Sequence, residues 1–119
     1  MTGTYLLDIF LQGSRTIRIG QLGRFSFRKG HYVYVGSAKK NFYQRIDRHL
    51  REKKKMYWHV DYLLQHARVT NVWSCDLAEE RVADILSALM RTPVLHFGAS
   101  DKRSTSHLFY GALNEYTPG

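Results

Sequence analysis

The stretch that decides the fold is GHYVYVGSAKKNFYQRIDRHLREKKK, residues 30–55. Its first part mixes aromatic and β-branched residues and runs into Gly36, the composition of a strand. The remainder switches to a helical period, with Phe42, Ile46 and Leu50 at i, i+4 and i+8 behind Asn41, a residue suited to capping. A helix over 42–55 is expected, with that stripe inward. Arg45 and His49 then lie one turn apart beside the stripe, where they can converge with Tyr34 near the end of the preceding strand. Arg48, Arg51, Lys53, Lys54 and Lys55 are expected to project toward solvent or a ligand, as a basic apron beside a pocket.

Upstream, GTYLLDIFLQG is β-rich and ends in a turn composition, and RTIRIG alternates polar with apolar residues, which suggests a hairpin between them. GRFSFRKG repeats the alternation, so residues 3–37 are expected to form most of one antiparallel sheet. Downstream, YWHVDYLLQHA reads as a short helix and RVTNVWSC as a strand. LAEERVADILSALMR reads as a third helix with Val82, Ile85, Leu86 and Leu89 inward, closed by Pro93. The two apolar pieces of TPVLHFGASDKRSTSHLFYG are open between strands and an ordered loop. No internal repeat or linker interrupts the chain, so one domain over residues 1–119 is expected.

The 119 residues and 44% hydrophobic content suit one globular core. Lys and Arg number 18 against 10 Asp and Glu, a formal charge of +8 that favours a polyanionic partner, with nucleic acid first. The single Cys75 excludes an intrachain disulfide and a zinc site of several cysteines, and a reducing, cytoplasmic location is expected. YLLDIFL is short and interrupted by Asp8, with no basic residue before it. It resembles neither a signal peptide nor a membrane span, and no membrane partner is expected.

Phosphodiester cleavage needs cations to offset charge in the transition state, a group to deprotonate water, and usually a divalent metal on carboxylate oxygen. Arg45 could supply the first. Tyr5, Tyr34 or His49 could take part in proton transfer, although a tyrosine of ordinary pKa, about 10, needs help from a cation or a metal. The plainer readings are strand aromatics for Tyr32 and Tyr34 and a solvated helix residue for Arg45. His59 and Asp61 stand two apart, about 200° around a helix, so structural roles such as capping and a core hydrogen bond are favoured over a shared metal. Ser37 lacks the G-x-S-x-G pattern, and no Walker pattern is present.

GTY at 3–5, YVG at 34–36, Arg45 with His49 one turn later, and a glutamate on a later helix resemble the GIY-YIG nuclease superfamily in order. GHYVYVGSA, RIDRHLR, YWHVDYLL and FGASDKRSTSHLFY resemble its small prokaryotic branch, whose members occur alone or fused to endonuclease III-type DNA glycosylases. The resemblance implies an α+β fold, with a small antiparallel sheet of three core strands, an inserted hairpin and three flanking helices. It further implies hydrolysis of phosphodiester bonds with one divalent ion, Mg²⁺ or Mn²⁺.

By the same resemblance, Tyr5 and Tyr34 activate or position water, Gly36 lets the backbone approach the phosphate, and Arg45 stabilises phosphate charge. His49 is the polar residue one turn later, and Glu79 is the metal-binding carboxylate. On the expected stripe Glu79 lies about 70° from the centre of the buried face and Glu80 about 170°. Gly36, Ser37, Lys39, Lys40, Arg48, Arg51, Lys53, Lys54 and Lys55 are candidate nucleic-acid contacts. His59, Asp101, Ser106 and His107 are secondary candidates.

Three departures stand out. The motif tyrosines lie 29 residues apart, so an extra hairpin separates their strands. Where relatives carry two cysteines after SD, this chain has Lys102 and Arg103 after Asp101. The late asparagine of the superfamily has no obvious match, with Ser106 or His107 as stand-ins. The first hypothesis is a metal-dependent endonuclease on DNA, ahead of RNA, in repair or processing. The alternative is a catalytically weak nucleic-acid-binding module, or an interaction module for a repair glycosylase, on the same scaffold. The oligomeric state is open.

Overall fold

The computed structural model describes residues 3–38, 41–51, 55–56, 58–98 and 106–112. The described elements run β1 (Thr4–Leu11), β2 (Arg15–Ile19), β3 (Gly23–Phe27), β4 (Gly30–Ser37), α1 (Phe42–Leu50), α2 (His59–Leu64), β5 (Arg68–Cys75), α3 (Glu79–Leu89) and β6 (Leu108–Tyr110). The α+β fold holds a four-stranded antiparallel sheet in the order β5-β1-β4-β6, with β2 and β3 apart from it as a two-stranded ribbon.

The expected hairpin between the first two strands is therefore not formed. β1 pairs along its whole length with β4, from Thr4 opposite Ser37 to Leu11 opposite Gly30. The burial patterns explain the choice. β1 is apolar on both faces and buried nearly throughout, so it belongs at the sheet centre, whereas β2 buries only Ile17 and Ile19. Residues 15–27 thus leave the sheet, and a fourth strand comes from the C-terminal stretch whose sequence is open between strand and loop.

The sheet separates two apolar layers. Tyr5, Leu7, Ile9, Leu11, Tyr32 and Tyr34 point to one face and pack with Phe42 and Ile46 of α1, Val60 and Leu63 of α2, and Ile17, Ile19 and Phe27 of the ribbon. Leu6, Val33, Val35 and Phe109 point to the other and meet Val82, Ala83, Leu86 and Met90 of the α3 segment. This alternation is the period-2 consequence of a sheet covered on both faces.

Two helix registers differ from expectation. In α1, Leu50 is 54% exposed and His49 is buried at 3%, so the inward row is Phe42, Arg45, Ile46 and His49. The helix ends at Leu50, because Arg51 is already extended. Asn41 precedes the helix in the left-handed region, at φ 59°, and its carbonyl, not its side chain, takes the first helical hydrogen bond from Arg45 N–H at 3.0 Å. In α3, Ile85 and Leu89 are exposed, and Ala83 and Met90 take their expected places against the sheet. Ala83 has the smaller side chain, which lets the helix lie close to the sheet.

Candidate functional site

The cross-strand register brings the motif residues together. Tyr5 of β1 lies opposite Gly36 of β4, and Tyr34 lies opposite Leu7, so the two tyrosines are diagonal neighbours on one face. A Cβ built on Gly36 would fall 2.4 Å from Cζ of Tyr5. The space that Gly36 leaves is filled by that ring.

The turn of α1 above this face supplies His49, whose Nε2 lies 2.7 Å from the Tyr5 hydroxyl. The ring of His49 also meets the edge of Tyr34, with centroids 6.2 Å apart. Arg45, one turn earlier, donates from Nη1 to the Ser37 carbonyl at 2.7 Å. That bond ties the helix to the end of β4 and holds the guanidinium beside Tyr5. Burial pushes the Tyr5 hydroxyl well above the ordinary tyrosine pKa, and the positive charge and hydrogen bond of Arg45 pull it only part of the way back. Tyr34 is raised by burial first, with its coupling to Tyr5 and the negative charges of Glu79 and Asp61 acting in the same direction. Neither tyrosine is a tyrosinate at neutral pH.

Trp58, just before α2, is not among the residues expected at the site, yet it organises this corner. The guanidinium carbons of Arg45 and Arg48 lie 4.5 and 4.3 Å from its ring centroid. Asp61 accepts from Trp58 N–H at 2.8 Å, and both its oxygens accept from Arg48 at 2.9 Å. The W-x-x-D spacing, a carboxylate three residues into a helix start, is the sequence signal for this corner. Arg48 also donates to the Lys55 carbonyl, so it braces α1 against α2, which corrects the expectation that it projects outward. Arg51 and Lys55 are exposed as expected, Arg51 in an ion pair with Asp47.

His59 and Asp61 take structural roles. Nδ1 of His59 accepts from Gly98 N–H at 2.7 Å, and desolvation keeps that imidazole below its usual pKa. Ser106 bonds within its own turn, accepting from Leu108 N–H at 3.1 Å.

Glu79 opens α3, the helix that covers the other face of the sheet, and its carboxylate lies 3.4 Å from Nδ1 of His107. That nitrogen also stands 3.1 Å from the Val35 carbonyl. Both neighbours are acceptors, so Nδ1 carries a proton, and Nε2 is buried and without a hydrogen-bond partner among the described residues. The observed inward face of α3, Val82, Ala83, Leu86 and Met90, centres within about 10° of Glu79 and about 100° from Glu80. Glu79 is thus more inward than expected, while Glu80 is exposed. The charge of Glu79 is felt at both tyrosine hydroxyls.

Among the described residues, no group of three or more His, Cys, Asp or Glu side chains could hold a metal. Lys39, Lys40, Lys53, Lys54 and Asp101 lie outside the described residues. No described helix is long and apolar enough to cross a membrane.

No curated protein and no solved structure matches the chain. A family model described as a domain of unknown function, DUF123, matches residues 4–117, nearly the full length. The chain belongs to the DUF123 family.

Proposed function

We propose that this chain is a GIY-YIG-type endonuclease that hydrolyses phosphodiester bonds in DNA with a divalent metal. The observation that carries the reading is the 2.7 Å contact of Tyr5 with His49, set between Tyr34 and Arg45. A hydroxyl of raised pKa cannot stand as a ready base. It can pass a proton to His49 while taking one from water, so the pair serves as a relay. Arg45, held by Ser37, offsets charge on the phosphate.

Glu79 would hold Mg²⁺ or Mn²⁺. Its side chain is 16% exposed, and one hard carboxylate, completed by phosphate oxygens and water, is a donor set that Mg²⁺ accepts. When bound, the ion supplies positive charge at the phosphate.

A second reading has its own support. Tyr5 and Tyr34 are 1% and 7% exposed, a degree of enclosure that suits a nucleic-acid-binding or glycosylase-partner module with little catalysis. The test is incubation with duplex, flap, junction and abasic DNA and structured RNA, with Mg²⁺ or Mn²⁺. Metal-dependent cutting that falls about 10²–10³-fold in Arg45→Ala supports the nuclease reading. Binding without cutting on every substrate selects the module.

A further inference from the structure

From Ile9 to Ile46 the chain contains no Asp or Glu. The ribbon of β2 and β3 falls in this interval and carries Arg15, Arg18 and Arg24, followed at once by Arg28 and Lys29. All five are exposed. None of them forms an ion pair among the described residues.

The register concentrates the charge. Arg18 lies directly opposite Arg24, and Thr16 opposite Ser26. Ile17, Ile19 and Phe27 point the other way, into the core shared with α2. Period-2 alternation puts Thr16, Arg18, Arg24 and Ser26 on the outer face. Like charges directly opposite across a ribbon destabilise it. A carboxylate at any outer position would relieve this, and Thr16 and Ser26 stand there instead. The two hydroxyls are themselves good phosphate contacts.

The ribbon is anchored on the side of the sheet that carries Tyr5, Tyr34 and α1. A Cβ at Gly20, in the turn between β2 and β3, would stand 3.3 Å from the ring of Tyr62 in α2. Trp58, one residue before α2, carries Arg45 and Arg48. The cations of the ribbon and of the candidate site therefore sit on elements packed into one layer.

We propose that the outer face of the β2–β3 ribbon is a second nucleic-acid contact, docking on the phosphates of duplex DNA through Arg18 and Arg24. It rests on the nucleic-acid part of the proposed function and is independent of cleavage. Contacts of this kind carry affinity and register without base preference. A two-stranded ribbon is also of a size that the major groove admits.

The test is fluorescence anisotropy of the full chain with a labelled duplex, without divalent metal, over a range of salt. Arg18→Gln/Arg24→Gln should bind more weakly and make the slope of log affinity against log salt shallower by about 1.8, at about 0.9 for each phosphate no longer neutralised. Arg18→Lys/Arg24→Lys should restore most of the slope, and Arg81→Gln, an exposed cation on α3, should leave it unchanged. An unchanged slope in the glutamine double variant, with folding confirmed by circular dichroism, overturns the proposal. So does a wild-type chain that ignores DNA and binds phosphatidylserine vesicles instead. Duplex binding with the expected change in slope but no cleavage of any substrate upholds the ribbon contact and rejects the nuclease reading alone.

Discussion

The hydroxyl of Tyr5 and Nε2 of His49 meet at 2.7 Å, and both side chains are buried, at 1% and 3% exposure. A contact so enclosed couples stability and chemistry. Tyr5→Phe keeps the ring that fills the space over Gly36 and removes only the hydroxyl. It is expected to lower stability by about 1 kcal/mol, the usual net worth of one such hydrogen bond. Metal-dependent cleavage should fall by about 10²-fold or more, the typical contribution of a positioned proton-transfer group. Thermal melts and single-turnover rates on the same preparation check both. A variant that cuts at the wild-type rate removes Tyr5 from the relay.

Gly36→Ala is expected to be more harmful than its size suggests. The added methyl would lie 2.4 Å from Cζ and 2.5 Å from the hydroxyl oxygen of Tyr5, far inside contact distance. The ring is buried, so strain of about 1–3 kcal/mol is expected. His49 loses its partner as the ring shifts. A urea melt with reduced midpoint, together with loss of cleavage, is the expected pair of results. Wild-type stability would show that the strand bends to accept the methyl.

Arg48 and Arg51 look alike in sequence and should behave differently. Asp61 is fully buried and holds Arg48 through both oxygens, so Arg48→Ala strands a buried carboxylate and should cost about 3 kcal/mol or more. The Arg51–Asp47 pair is 64% exposed on both sides, and Arg51→Ala should change stability by less than about 1 kcal/mol. Chemical denaturation of the two variants checks the contrast. Weakened DNA binding in Arg48→Ala is interpretable only at temperatures where that variant remains folded.

Much of this architecture is legible in sequence because strand composition and the order of short motifs are local properties. The α1 register is not. Phe42, Ile46 and Leu50 form a sound apolar row, but the structure buries His49 and exposes Leu50, because a partner for His49 waits on β1, 44 residues away. Arg48 reads as a solvent-facing cation for the same reason: its carboxylate, Asp61, comes from the next helix. In α3 the sequence offers two apolar rows, and packing against Val33, Val35 and Phe109 selects the one with Ala83. Where the choice depends on a non-local partner, periodicity alone cannot make it.

Stability should fall below about pH 6.5, the ordinary histidine value. Burial lowers the pKa of His59, whose Nδ1 must stay unprotonated to accept from Gly98. The unfolded chain therefore binds a proton that the folded chain resists. Stability is at its full value above the unfolded pKa and declines as pH falls from there toward the lower folded value. His66 acts in the same direction, held low by burial and then by the charge of Arg15. Melting temperatures measured from pH 8 to pH 5 should drop, and the drop should shrink in His59→Leu, although that variant starts from lower stability. A steeper acid loss in His59→Leu would contradict the assignment.

Glu79 and Glu80 provide the sharpest contrast, because they are adjacent and chemically identical. Both stand in the first turn of α3, where a negative charge favours the helix by about 0.3–1 kcal/mol, so Gln at either position should cost a similar small amount of stability. Their surroundings differ. Glu79 lies over the centre of the face turned to the sheet, beside His107, and its charge reaches both tyrosine hydroxyls. Glu80 is exposed. Glu79→Gln is therefore expected to abolish Mg²⁺- or Mn²⁺-dependent cleavage and weaken binding of Mn²⁺ in the absence of DNA, while Glu80→Gln does neither. Isothermal titration with Mn²⁺ and cleavage assays on both variants, with circular dichroism to establish folding, make the comparison. Equal losses at the two positions would mean that the first-turn charge alone matters and that Glu79 holds no ion.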